Sequence, residues 1–103
     1  MPLDYAEAMR WYKNSVEMGN SDAMGRIGSL YENGRGVPQD YAEAMRWNKQ
    51  SADLGNTLSM YWIAICYLYG KGVPKNEAQG RVWMKKAAAM GDVGANMWLT
   101  DNP

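Results

Sequence analysis

The stretch DYAEAMRW occupies residues 4–11 and recurs, letter for letter, at residues 40–47. A weaker copy, NEAQGRVW, stands at 76–83. The spacing is 36 residues each time, and other marks keep the same register. Trp11, Trp47 and Trp83 align, as do Gly19, Gly55 and Gly91, and Pro2, Pro38 and Pro74. The loop GRGVPQD at 34–40 matches GKGVPKN at 70–76, and segments 1–36 and 37–72 are identical at 18 positions. Self-similarity at a period of 20–50 residues is the mark of a repeat architecture, in which each unit buries its apolar face against the next.

Within a unit the signals are those of two helices. Asp4, Asp40 and Asn76 are favourable N-cap residues, and Glu7, Glu43 and Gln79 follow three positions later, at capping-box spacing. Gly19, Gly55 and Gly91 supply helix stops, and Asn20, Asn56 and Asp92 cap a second helix. The spacing predicts helices at about 4–18, 21–33, 40–54, 57–69, 76–90 and 93–100. Helices that follow the G-x-G-V-P loop are type B, the others type A. On B, positions 8, 11, 15 and 18 and their 36-residue equivalents share one face. That face sets a Trp between small residues, so Trp11, Trp47 and Trp83, with the closing glycines 19, 55 and 91, are the expected repeat-packing residues. Met9 and Met45 are ambiguous between core and surface.

The totals fit this pattern. One domain over 1–103, with units 1–36, 37–72 and 73–103, is expected from 103 residues of which 47% are hydrophobic. Eleven basic and eleven acidic residues cancel, and no basic face is dense enough to predict nucleic-acid binding. No apolar run reaches the roughly 20 residues needed to cross a bilayer, so no membrane partner is expected. The first ten residues lack the pattern of a signal peptide and Cys66 is the single cysteine, so the expected location is cytoplasmic.

Catalysis has little to work with. Histidine is absent, which removes the commonest neutral-pH acid–base and metal ligand. Cys66 lies in an apolar run and reads as a buried, inert thiol. The G-x-G pairs follow helices rather than strands and read as turns. The expectation is therefore no enzyme: no catalytic residue, no cofactor and no metal.

These motifs together resemble the Sel-one-like repeats, an α-solenoid family akin to tetratricopeptide repeats. The resemblance rests on the G-x-G-V-P-Q-D loop, the Asp-Tyr-x-x-Ala-x-x-Trp start of helix B and its small pairs at 51–52 and 87–88. The closing glycine and the Ala-x-x-x-Ile-Gly-x-x-Tyr pattern of 23–31 complete it. It implies an all-α fold, a right-handed α/α superhelix of about three antiparallel helix pairs. The implied role is a non-enzymatic protein-interaction module or adaptor, which binds another protein or peptide on its concave A-helix surface. A dedicated inhibitor or immunity-type protein that blocks one toxin or enzyme is the alternative. The disulfide-rich secreted branch of the family carries paired cysteines in each repeat, and this chain has one cysteine.

The segment SMYWIAICYLYG at 59–70 stands out. It keeps the core positions of the first A helix, at Met60, Ile63, Ala64 and Tyr67, yet is apolar elsewhere. A helix apolar all round is normally buried. Two readings stay open: a buried central helix, or an aromatic patch of Tyr61, Trp62, Ile65 and Tyr69 that binds a partner, since Tyr and Trp are common interface anchors. The array also begins on a B helix and ends on a short A helix with Met97, Trp98 and Leu99, so a homodimer, or contact with a longer parent, is expected at these exposed ends.

Overall fold

The computed structural model describes residues 4–103, and Pro2 lies outside them. The described residues form six helices: α1 (Tyr5–Glu17), α2 (Ser21–Asn33), α3 (Tyr41–Asp53), α4 (Thr57–Tyr69), α5 (Glu77–Ala89) and α6 (Val93–Asp101). The expected B helices are α1, α3 and α5, and the A helices are α2, α4 and α6. They stack into an all-helical solenoid of 43 × 26 × 24 Å. The most extensive packing is α2 on α3 and α4 on α5, so an A helix holds the following B helix more closely than the one before it.

Local chemistry sets the helix boundaries. Every helix starts at an Asp or Asn whose side chain accepts from a backbone N–H three residues on, as when Asp40 Oδ1 takes the Glu43 N–H at 3.1 Å. The return half of the capping box is missing. The Asp40 and Asn76 N–H groups donate instead to the carbonyls of Tyr31 and Tyr67, at 2.9 and 2.8 Å. Helices α3 and α5 are thereby tied to the A helices before them, and the Glu43 carboxylate is left to pair with Arg46. At the other end, Gly19, Gly55 and Gly91 have φ of 79°, 92° and 95° and close Schellman motifs. In the first, Asn20 N–H reaches the Ser15 carbonyl and Gly19 N–H the Val16 carbonyl.

Two clusters make the core. The smaller joins Met9, Ile27 and Leu30, and Trp47 packs on it. The larger centres on Ile63, Ala64 and Cys66 of α4 with Met84 and Ala87 of α5, and Trp83 packs on that one. Trp11 differs from its two counterparts: it is 66% exposed. Trp47 lies on a cluster built largely from α2, and Trp83 on one centred on α4. Among the described residues no helix stands before α1 to do the same for Trp11. The B face also turns further than the spacing suggests. Met9 and Met45 are buried, whereas Met18, Leu54 and Met90 are exposed. The last three are C-cap residues, just beyond the final helical turn.

The α6 end is more closed than the sequence suggests. Trp98 and Leu99 pack against the larger cluster, and Met97 stays exposed. Arg81 of α5 lies 5.2 Å from the centre of the Trp98 ring and donates from Nη1 to the Asn102 carbonyl at 2.7 Å. That clamp covers part of a face that would otherwise meet water.

Candidate partner-binding groove

The A helices α2 and α4 run beside one another over α3 and leave an open groove of about 470 Å³ between them. From α2 it is lined by Asp22, Gly25, Arg26, Ser29 and Glu32, whose spacing is one helical stripe. From α4 come Leu58, Ser59 and Trp62, with Asn56 at the cap; Asn48 of α3 also lines it.

Hydrogen bonds hold the groove's base. Asn56 Nδ2 donates to Asp22 Oδ1 at 2.8 Å and links the starts of α4 and α2. Beneath it, Ser59 Oγ donates to Ser51 Oγ at 2.8 Å, and Ser51 Oγ to the Ser21 carbonyl at 2.7 Å. These buried hydroxyls are thus satisfied, as buried polar groups must be. Gly28 makes room for Asn48: a Cβ there would sit 2.3 Å from Asn48 Nδ2. Asn48 Nδ2 donates to the Ala44 carbonyl at 2.9 Å.

The four residues of the expected aromatic patch do not share one surface. Of them, Trp62 alone lines the groove, half-buried. Tyr61 turns toward α6, where a Cβ on Gly94 would lie 3.5 Å from its ring. Ile65 packs on the larger core cluster. Tyr69, the last residue of α4, is 65% exposed and apart from the groove. A helix apolar on all sides carries no directional signal, so the sequence does not say which of these side chains meets which neighbour. Asn48 escapes sequence reasoning too, although a signal exists. Tyr12 and Met84 hold its place in the sister repeats, and an asparagine among them is out of character.

Cys66 is fully buried. Burial first, and then the negative charge of Glu32, push its thiol up to about 12, against a lowering effect from Lys71. Such a thiol stays protonated at neutral pH and is a poor nucleophile.

The family model described as Sel1 repeat matches residues 1–20, 21–56 and 57–92. The chain belongs to the Sel1 repeat family. The matched units 21–56 and 57–92 each hold an A helix and the B helix after it, the same pairs that pack most closely. They begin at a different point of the period from units counted from the octapeptide, with the same length of repeat. No curated protein matches the chain in sequence. Among solved structures, a Sel1 repeat protein from Oxalobacter formigenes is similar over 93% of this chain and 39% of its own, at 30% identity and a TM-score of 0.87. A protective antigen of uropathogenic Escherichia coli strains with an SLR fold is similar over 95% of this chain and 21% of its own, at 33% identity and a TM-score of 0.89. The chain therefore spans about two fifths and one fifth of these two proteins. Helicobacter pylori cysteine rich protein B, 24% identical, matches over 90% of this chain and 70% of its own at a TM-score of 0.84 and shares the fold. Sel1 repeat proteins are, as a family, protein-interaction modules.

Proposed function

We propose that this Sel1 repeat chain is a non-enzymatic interaction module that holds a partner protein in the groove between α2 and α4. The observation that carries the reading is the wall of that groove. Trp62 presents part of its ring beside Arg26 and Glu32, neither of which forms an ion pair among the described residues. Trp and Arg are the residue types most enriched at interface anchors. Trp62→Ala should weaken partner binding by about 2 kcal/mol or more, roughly 30-fold in Kd. Tyr69→Ala, exposed but outside the groove, should leave binding unchanged. Affinity capture followed by titration of the recovered partner checks both, and the reverse order of effects rejects the groove. Adaptor and inhibitor would use the same surface, and the partner's own activity in the complex tells them apart.

A second contact, at the solenoid end, is favoured by the bare Trp11. Its counterparts Trp47 and Trp83 rest on core clusters, so a homodimer that covers Trp11 is the corresponding proposal. Light scattering should show the dimer, and Trp11→Ser should shift it toward monomer. A wild-type chain that stays monomeric at high concentration rejects this contact.

A further inference from the structure

We infer that the groove takes an extended main-chain segment of its partner, and that Asn48 accepts a hydrogen bond from one N–H of that segment. This inference rests on the proposed function above and names what fills the groove. Asn48 is only 5% exposed, yet it lines the groove. Its bond to the Ala44 carbonyl fixes which end of the amide is Nδ2. The other end, Oδ1, accepts no hydrogen bond among the described residues. It is not sealed from solvent either, because the one sealed and unpartnered side-chain polar atom among those residues is Trp83 Nε1. Oδ1 faces Gly25, where an added Cβ would lie 3.9 Å away. An almost buried acceptor with no donor costs stability, and the sister repeats fill this position with Tyr and Met. The sister repeats fold without an amide at this position, and here the acceptor lies at the groove.

The dimensions and chemistry favour a peptide main chain. Asp22 to Glu32 along α2 is ten residues, roughly 15 Å of helix, which matches about four or five extended residues. Gly25 has no side chain to hold a backbone off. Trp62 gives one side chain of the segment an apolar face. Arg26 and Glu32, roughly 9 Å apart along the helix, suit an acidic and a basic residue about three positions apart in the segment.

The probe is a phage-displayed library of random heptapeptides panned on the 103-residue chain, with the selected peptides then titrated in solution. Asn48→Leu keeps the shape and removes Oδ1. It should fold at least as stably, because the unpaired acceptor is gone and the Ala44 carbonyl keeps its helical partner. Peptide affinity should fall about 10-fold or more, the scale of one lost hydrogen bond. Replacing each peptide amide by an ester, one at a time, should show one position that costs about 10-fold with the native chain and less than about 2-fold with Asn48→Leu. Equal affinity for the variant, or an ester cost that persists in it, overturns the role of Asn48. A library that yields no binder overturns the extended segment. Peptides sensitive to Trp62→Ala but not to Asn48→Leu would leave the groove standing and reject this inference alone. Insensitivity to both substitutions would reject the two together.

Discussion

Ile63→Ala is expected to cost about 2–5 kcal/mol, the range for removing a buried aliphatic side chain. Ile63 is fully buried on α4 and meets the core formed with Met84 and Ala87 of α5. It stands in the most extensively packed helix pairing, where the wall cannot collapse without moving a whole helix. The loss combines the transfer of the missing atoms with the cavity they leave. Because a domain of this size has only about 5–15 kcal/mol in hand, the urea midpoint should fall steeply. Leu58→Ala, on the same helix but 73% exposed, should stay within about 0.5 kcal/mol. A loss below about 1 kcal/mol at Ile63 would mean that α4 is not the centre of the core.

Gly72→Ala is expected to cost about 2–4 kcal/mol, and Gly91→Ala only about 1–2 kcal/mol, although both glycines have positive φ. At Gly91 nothing lies within 4 Å of an added Cβ, so the left-handed backbone is the whole penalty. At Gly72 the new carbon would come 2.5 Å from Tyr41 Cβ and 3.1 Å from the Tyr41 carbonyl. Neither neighbour is the free end of a side chain, so the backbone of α3 must shift. Gly36 bears the same relation to Tyr5, at 2.7 Å. The second glycine of each G-x-G-V-P loop is thus where that loop lies against the start of the B helix one unit earlier. Thermal unfolding of the two alanine variants tests the difference, and equal losses would show that this inter-repeat contact carries no weight.

The pair also shows why some positions could be read in advance and others not. A capping Asp is recognised by a partner three residues away, and a stop glycine by the turn it ends, so six helices fall within a residue of where spacing alone puts them. Trp11 and Trp47 close the same octapeptide, yet Trp11 is exposed and Trp47 half-buried, because burial depends on whether a preceding A helix lies alongside. Met9, Met45 and Asn48 are likewise buried by packing against neighbouring helices. The buried face of a B helix is chosen by the neighbours that reach it, not by the small–Trp–small stripe alone.

By itself the sequence determined the 36-residue period, the helix pairs with their caps and stops, and membership of a solenoid family. All of these rest on contacts within a few residues, repeated three times. Tertiary structure decided the rest. The groove is made by side chains some 34 residues apart in sequence, as Asp22 and Asn56 are, and which stripe of the all-apolar α4 turns toward it depends on α5 and α6 covering the other sides. Trp62 faces the groove while Tyr61 turns to α6 because helix packing, with its close approaches at Gly28 and Gly80, sets the rotation of each helix. A rotation of that kind is fixed by long-range packing and leaves no mark in local spacing.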